Sequence, residues 1–436
     1  MSSEQNTYQA SVSCFDQPGQ LSVQQGRQAL LDAIVSAKHP GRIRQPIAEL
    51  VGSVLAEDVI SPINVPAQTN AAMDGFALAL PEASGDSFPS EYQLVGKALA
   101  GHGFDGELET GQAVTITTGA PVPAGANSVV MREICQPGEG VVLIEKPESL
   151  RLNDNIRQAG EDLATGQVAV KAGTRLTPAH QGLIASLGLT DVAVFKPLVV
   201  AVFSTGDEVV AQGQPLPPHS IYDTNRYSLI ALLKKLHCEV IDLGILPDQE
   251  EVLAKTLADA AVKSDVVISS GGVSVGVADY IKTALARVGE IGFWRMNIRP
   301  GRPFAFGCIG ADLTQDNADS AWFFGLPGNP VAVMVTFMQL AQPALRLLQG
   351  ETGWQLQAIP AIASEKMRSR EGRTDFHRGI FSLSAEGQLQ VQTTGTQGSG
   401  ILRSMTEANC LIEIGDEHGA IAAGGSVKIY PFADLL

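Results

Sequence analysis

The segment between Leu198 and Gln349 constrains the fold most, because apolar strand-like runs alternate there with amphipathic segments. That alternation is typical of β-α-β units, in which helices connect the strands of a parallel sheet. We therefore predict a doubly wound, mainly parallel α/β domain over 198–350. The predicted strands are Leu198–Phe203, Glu239–Leu246, Asp265–Ser269 and Trp322–Leu326, and the predicted helices are Arg226–His237, Glu250–Val262, Ala278–Val288 and Pro330–Leu348.

The remaining chain is predicted to form three further units, giving a multidomain α/β plus β protein. Short alternating apolar runs between Gly and Pro turns predict a β-rich inserted domain over 63–162. The segments 1–62 and 163–197 each carry a helical pattern, and we expect these helices to pack together in a small, discontinuous linking domain. Alternating apolar residues and glycine turns predict a C-terminal, all-β, barrel-like domain over 353–436.

Composition excludes several classes of function. With 30 Lys and Arg against 46 Asp and Glu, the net charge is −16, so we expect no nucleic-acid or membrane partner. Five single cysteines without a C-x-x-C pair predict neither disulfides nor structural zinc. The polar N-terminus shows no signal-peptide pattern, and we expect a cytoplasmic protein. The apolar stretch Val331–Leu348 is interrupted by polar residues, which predicts a buried helix.

Three loops that leave the predicted strands combine glycines with small polar residues. Ligands of open parallel sheets bind beyond the carboxyl ends of the strands. Glycines let backbone N–H groups converge there, so the loops together predict a phosphate or pyrophosphate site. Each loop alone is equally explained by the glycines that strand-to-helix turns need. The loops are Ser204–Glu208, Ser269–Gly276 and Gly325–Pro330, and the candidate binding residues in them are Thr205, Gly206, Glu208, Ser270, Gly271, Gly272, Ser274 and Gly328.

Other motifs for nucleotide or covalent chemistry are missing or out of context. The sequence contains no G-x-x-x-x-G-K-[ST], G-x-S-x-G or H-E-x-x-H pattern, which disfavours P-loop hydrolases, serine hydrolases and zincins. Gly101–Gly106 matches G-x-G-x-x-G, but β-type sequence follows it instead of a helix. We predict a glycine turn there, with dinucleotide binding as the weaker alternative.

Carboxylates are predicted at the same sheet edge as the glycine loops. Asp207 and Glu208 lie in the first loop, Asp248 follows the second strand, and Asp279 begins a helix. They would repel a phosphate unless a hard cation such as Mg²⁺ bridged both, so Asp248, Asp279 and Glu208 are predicted metal ligands. Asp279 is also explained by the charge preference of helix N-termini, and Asp223 by N-capping.

An arginine cluster precedes the third loop. Arg295, Arg299 and Arg302 lie within eight residues, and one continuous strand would place Arg295 and Arg299 on the same face. Guanidinium groups suit tetrahedral oxyanions, so the cluster predicts an anion site. A charged edge strand is the alternative.

Five motifs in order along the chain, three of them the glycine loops, resemble the molybdopterin molybdenumtransferases, the family of bacterial MoeA and the gephyrin E-domain. The resemblance covers about Leu21 to Phe432. Members of this family often have Lys at the positions of Arg295, Arg299 and Arg302 and an acidic residue at the position of Val277. The motifs are Ala72–Ala77, Thr118–Pro123, Phe203–Glu208, Ser270–Gly276 and Gly325–Pro330.

The resemblance implies an enzyme of molybdenum cofactor biosynthesis. Adenylylated molybdopterin would be hydrolysed with Mg²⁺, AMP released, and molybdate, a substrate, inserted at the dithiolene. It also implies a homodimer in which the β-rich insert of one chain completes the cleft of the other. The implied catalytic residues are Asp74, Thr118, Asp248, Asp279, Arg295 and Arg299, and the implied substrate-binding residues are Asp162, Glu208, Arg302, Pro327, Pro330, Arg378 and Ser399.

Two other functions compete with this one. Molybdopterin adenylyltransferases share the Gly-Gly-Val-Ser loop but resemble only the doubly wound domain; such a protein is also a candidate partner that delivers substrate. A non-enzymatic scaffold, which gephyrin also is, would bind a peptide at the same surface. The presence of Asp248, Asp279 and the arginine cluster favours the enzyme, because a scaffold needs none of them.

Overall fold

A computed structural model describes residues 20–35, 37, 39–81, 88–273, 280–310 and 320–435. The first part of the chain contains α1 (Val23–Ile34), β1 (Arg42–Pro46), β2 (Val59–Ile60), β3 (Asn70–Ala71), β4 (Gly75–Leu78), β5 (Glu91–Ala98), β6 (Gln112–Ile116), β7 (Ser128–Met131), β8 (Cys135–Pro137), β9 (Val141–Ile144), β10 (Ile156–Arg157), β11 (Val168–Val170), α2 (Pro178–Ser186) and β12 (Asp191–Phe195).

The central part contains β13 (Val199–Thr205), β14 (Val209–Val210), β15 (Ile221–Tyr222), α3 (Asn225–Lys235), β16 (Glu239–Leu246), α4 (Glu250–Ala261), β17 (Val266–Ser270), α5 (Tyr280–Val288), β18 (Gly289–Arg295), β19 (Ile298–Arg299), β20 (Pro303–Ile309), β21 (Ala321–Leu326), α6 (Pro330–Thr336) and α7 (Gln342–Leu348). The last part contains β22 (Ile359–Ala363), β23 (Met367–Arg368), β24 (Thr374–Leu383), β25 (Leu389–Thr393), α8 (Arg403–Glu407), β26 (Cys410–Ile414), β27 (Ala420–Ile421), β28 (Ser426–Pro431) and α9 (Phe432–Leu435).

The central part forms one six-stranded sheet in the order β16-β13-β17-β21-β20-β18, which confirms the predicted doubly wound, mainly parallel domain. The first four strands are parallel, and β20 and β18 add an antiparallel hairpin. The chain leaves β13 to one side for β16 and returns on the other side to β17, so strand order reverses at β13. Register places Ser204 beside Ser270 and Ser270 beside Leu326. The carboxyl ends therefore meet at one edge.

The apolar stretch after the third glycine loop lies inside the protein, as predicted. Proline opens α6 at its first position, a π-helical turn over Phe337–Ala341 follows, and α7 completes the helix. The helix is long and apolar enough to cross a membrane, but 83% of that window is buried inside the protein. Its burial against the sheet identifies it as a core helix.

The two helices of the predicted linking domain do not share a core, so that expectation was wrong. The capping box of Ser22 and Gln25 opens α1, and Thr177 caps α2. The buried face of α1 joins the core formed by the central sheet and α6–α7, whereas α2 packs with β11 and β12. The helical pattern identified an apolar face on each helix but not the partner of that face.

The two β-rich regions have different architectures. Residues of the insert form a six-stranded sheet in the order β7-β4-β6-β5-β9-β8. In the C-terminal region, β24-β25-β22-β28-β26 close on themselves through the β24–β26 pair, which confirms a small barrel. The G-x-G-x-x-G segment is a turn in which Leu99 and His102 bond to each other, and no helix follows it.

We expect Leu30→Ala to lower the free energy of unfolding of the central core by about 2–5 kcal/mol, because Leu30 is fully buried in the core that α6 and α7 share and truncation leaves a cavity. Val35→Ala, at an exposed position one turn later, is the control and should change stability by less than about 0.5 kcal/mol. Urea unfolding followed by tryptophan fluorescence measures both variants. Equal effects would contradict the packing of α1 on the α/β core.

Candidate active site

A cleft of about 1400 Å³ lies between the carboxyl edge of the central sheet and one end of the barrel. Its walls come from the three predicted glycine loops, the segment 298–303 and the barrel loop 397–400. The predicted site residues that line the cleft are Thr205, Gly206, Glu208, Asp248, Ser270, Gly271, Gly272, Arg299, Arg302, Pro327, Gly328, Pro330 and Ser399.

Asn225, which the sequence analysis missed, ties two of the glycine loops together. Its side-chain amide donates to the Ser270 hydroxyl at 2.8 Å and to the Gly328 carbonyl at 2.7 Å. The Gly271 amide adds a bond to the Leu326 carbonyl at 3.1 Å. The only signal for Asn225 in the sequence was its position directly before the predicted helix Arg226–His237.

The second loop can be formed only by glycine at its centre. Gly271 and Gly272 have φ values of 91° and 69°, in the left-handed region. A Cβ on Gly272 would lie 2.1 Å from the Ile281 side chain, and one on Gly271 would lie 2.8 Å from the Thr205 carbonyl. This close approach presses the second loop against the first. Ser274, the remaining predicted residue of this loop, lies outside the described residues.

The sheet side of the cleft carries carboxylates. The Thr205 hydroxyl donates to Asp248, which fixes the orientation of that carboxylate at the end of β16. The Glu208 carboxylate folds back over Gly206, where a Cβ would be 2.7 Å from Oε2. Among the described residues, no group of three or more His, Cys, Asp or Glu could hold a metal ion. Asp279, the third predicted ligand, lies outside the described part of the chain.

Asp223 lies beneath the first loop and makes more hydrogen bonds than N-capping alone requires. Its carboxylate accepts from the Arg226 backbone at 3.2 Å, as capping predicts, but also from the Ser204 hydroxyl at 3.0 Å and from Arg226 Nε at 2.8 Å. Both charged groups are buried. The pair therefore joins β13 to α3 directly beneath the first loop.

The arginine cluster does not lie on one strand, and the prediction that Arg295 and Arg299 share a face was wrong. Arg295 ends β18 in the central sheet, whereas Arg299 lies on β19, which pairs with β24 of the barrel. Between them the chain bonds to Leu21 at the start of α1. As a result Arg299 and Arg302 line the cleft, and Arg295 does not.

Arg378 lies one layer behind the barrel side of the cleft. Its Nε donates to the Ser404 hydroxyl at 2.9 Å and its Nη2 to the Gly398 carbonyl at 3.0 Å, so it supports the loop that carries Ser399. Nη1 is buried with no hydrogen-bond partner among the described residues. Burial, reinforced by repulsion from Arg299, lowers the pKa of Arg378 to about 10, and the group stays cationic at neutral pH.

Asp74, Thr118 and Asp162 do not line this cleft. Asp74 and Thr118 form an exposed pair on the β-rich insert, in which Asp74 accepts from the Thr118 amide at 2.6 Å and from its hydroxyl at 2.8 Å. These two bonds lower the pKa of the Asp74 carboxyl. Asp162 is exposed where the insert rejoins the linking strands. These three predicted residues therefore lie outside the cleft of their own chain.

Three family models match successive parts of the chain. They are the MoeA N-terminal region (domain I and II) over residues 21–188, a probable molybdopterin binding domain over 201–347, and the MoeA C-terminal region (domain IV) over 360–432. The middle match contains the three glycine loops and the carboxylates of the cleft.

Named relatives cover nearly the whole chain. A molybdopterin molybdenumtransferase of Haemophilus influenzae is 44% identical over 89% of this chain and 94% of its own length. Gephyrin of Dictyostelium discoideum is 31% identical over 88% of this chain and 58% of its own length. The crystal structure of a MoeA protein from Pyrococcus horikoshii matches with a TM-score of 0.78 and 27% identity, covering 94% of this chain and all of that one. The chain therefore belongs to the MoeA family of molybdopterin molybdenumtransferases, enzymes of molybdenum cofactor biosynthesis.

Proposed function

We propose that the cleft inserts molybdate into adenylylated molybdopterin, with Mg²⁺ required and AMP released. The observation that carries this proposal is that carboxylates, Glu208 and Asp248, and arginines, Arg299 and Arg302, line the same cleft. A substrate with a pyrophosphate and a second, tetrahedral oxyanion needs both kinds of group.

The glycine loops suit the pyrophosphate. They follow parallel strands at the point where strand order reverses, the usual ligand position of such sheets. Pro330 begins α6 next to the third loop and lines the cleft. The Val331 amide after it donates to the Ser399 carbonyl at 3.1 Å, which joins the third loop to the barrel loop 397–400. The Asn225 bonds keep the second and third loops at a fixed separation.

Glu208 and Asp248 would hold Mg²⁺. The donor set fits, because Mg²⁺ is commonly bound by one or two carboxylates together with substrate phosphate oxygens. When bound, the ion would offset the negative charge of the pyrophosphate and stabilise the AMP leaving group. The Thr205 hydroxyl keeps the Asp248 carboxylate oriented toward the loop. Asp279 stays a predicted third ligand.

Arg299 and Arg302 would bind molybdate. A protein with a net charge of −16 gains nothing from long-range attraction of a dianion, so short-range donors must supply the affinity. Both arginines line the cleft, and the buried charge of Arg378 lies behind them. Arg299 is 48% exposed in its side chain, which leaves donors accessible to an anion.

We also propose that the protein works as a homodimer whose partner chain brings Asp74 and Thr118 to this cleft. The pair is preorganised by two hydrogen bonds but exposed, and it lines no part of the cleft in its own chain. A second copy of the chain would bring its Asp74 and Thr118 beside the substrate in this cleft.

Asp248→Asn should raise the Mg²⁺ concentration needed for half-maximal AMP release by about tenfold or more, because a charged ligand is lost. Glu251→Gln removes a nearby exposed charge that does not line the cleft and should leave the requirement unchanged. Magnesium titration by calorimetry, in addition to AMP release, separates metal binding from turnover. Full AMP release in EDTA would contradict the proposed role of Mg²⁺.

Arg299→Ala should raise the molybdate concentration for half-maximal insertion about tenfold, since a charge-assisted bond at a half-exposed position lies at the low end of about 1.5–3 kcal/mol. Arg299→Lys should be milder, because the charge remains although the planar fork is lost. Arg370→Ala, an exposed arginine outside the cleft, is the control. If Arg299→Ala needs no more molybdate than the wild type, Arg299 does not bind the anion and is only a charged residue of β19.

We expect Asp74→Ala and Asp248→Ala each to be inactive alone, and mixing the two protomers should restore AMP release in heterodimers. One of the two clefts in each heterodimer then contains both wild-type groups. Subunit exchange is confirmed by native mass spectrometry before activity is measured. Absence of any recovery after confirmed exchange would argue against a shared cleft.

A further inference from the structure

One buried carboxylate, that of Asp375, holds two arginines at the barrel side of the cleft. Asp375 has no exposed surface. Arg373 Nε donates to its Oδ1 at 2.8 Å and Arg373 Nη2 to its Oδ2 at 3.4 Å, while Arg299 Nη1 lies 3.7 Å from Oδ2. The parallel pairing of β19 with β24 places Arg299 opposite Asp375 and so brings the second guanidinium to this carboxylate.

This carboxylate does not balance the positive charge around it. Arg299, Arg302 and Arg373 all line the cleft, whereas its acidic lining residues, Glu208, Asp223 and Asp248, come from the sheet side. Burial opposes ionisation of Asp375, but attraction from the nearby His377 ring and from Arg373 outweighs it and lowers the pKa of the carboxyl. The ionised Asp375 is thus matched by more than one cation, and the wall keeps a positive surplus.

Arg373 has donors left for a ligand. A guanidinium carries five N–H donors in a planar fork, and the contact with Asp375 uses Nε and Nη2. Its side chain is 32% exposed and borders the same cleft as Ser399. A planar group with one edge anchored and the rest accessible is suited to a tetrahedral oxyanion.

We infer that Arg373 is a further anion-binding residue of the cleft and that Asp375 is a positioning residue, which directs Arg373 and Arg299 toward the same tetrahedral oxyanion. The inference rests on the proposed function for the identity of that anion, which is either free molybdate or the phosphate of the adenylylated substrate.

The test compares Arg373→Gln with Arg370→Gln, a matched loss of charge three residues away at an exposed position outside the cleft. Calorimetry measures binding of molybdate alone and of AMP alone with Mg²⁺. We expect Arg373→Gln to weaken one of them about tenfold and Arg373→Lys to recover part of the loss, while Arg370→Gln binds both like the wild type. Weaker molybdate binding identifies molybdate as the anion, and weaker AMP binding identifies the phosphate. Wild-type affinity of Arg373→Gln for both overturns the inference.

Asp375→Asn tests positioning. It keeps the size of the side chain but loses the charge, and we expect the affinity for the same anion to fall about tenfold. In the Asp375→Asn/Arg373→Gln double variant the loss should be smaller than the product of the two single losses, because part of the effect of Asp375 acts through the Arg373 guanidinium that the second change removes. Independent losses overturn the positioning role, and thermal melting shows which variants fold. If Asp375→Asn does not fold, the Arg373 variants carry the test.

The outcome also separates this inference from the proposed function. A wild type that releases no AMP in reconstitution, yet binds molybdate in an Arg373-dependent way, contradicts the proposed reaction alone. A wild type that releases AMP while Arg373→Gln binds both anions normally contradicts the inference alone.

Discussion

The parallel register of the central sheet is the constraint on which the site depends. Because Ser204, Ser270 and Leu326 lie side by side, the loops that follow their strands emerge at one edge. Because Gly271 and Gly272 have no Cβ, the second loop packs against the first more closely than any other residue would allow. The Asn225 bonds convert this approach into a fixed spacing.

Charges of opposite sign in one cleft stay available to a ligand only if they are kept from pairing with each other. The protein achieves this with internal partners: Thr205 holds Asp248 on the sheet side, and Asp375 holds Arg373 on the barrel side. Arginines bonded directly to Glu208 or Asp248 would have neutralised the cleft, because a close ion pair leaves little charge for a ligand. The separation of the two walls thus keeps the cleft ready for a ligand that contains anionic groups and binds a cation.

The sequence predicted what depends on local pattern and failed where distant segments meet. The strands β13, β17 and β21 are largely apolar runs, and their loops follow directly, so both were predictable. The arginine segment alternates like one strand, yet contacts with Leu21 and with β24 divide it between two sheets. Nothing in the sequence of the arginine segment itself predicts either contact. For the same reason Asn225 and Arg373 were missed, because each acquires its position from residues far away in the chain.

The exposed Asp74–Thr118 pair adds a further electrostatic requirement to the proposed dimer. Two hydrogen bonds from Thr118 lower the pKa of Asp74, so the group is ionised at neutral pH and can accept a proton or a hydrogen bond but cannot donate one. Brought to the partner's cleft, it would be another negative charge near Glu208 and Asp248. Such a cluster becomes compatible with a pyrophosphate only with a bound cation and with a cationic opposite wall. The proposed dimer therefore depends on the metal and on the arginine wall, since these cations offset the repulsion that the Asp74 carboxylate would add.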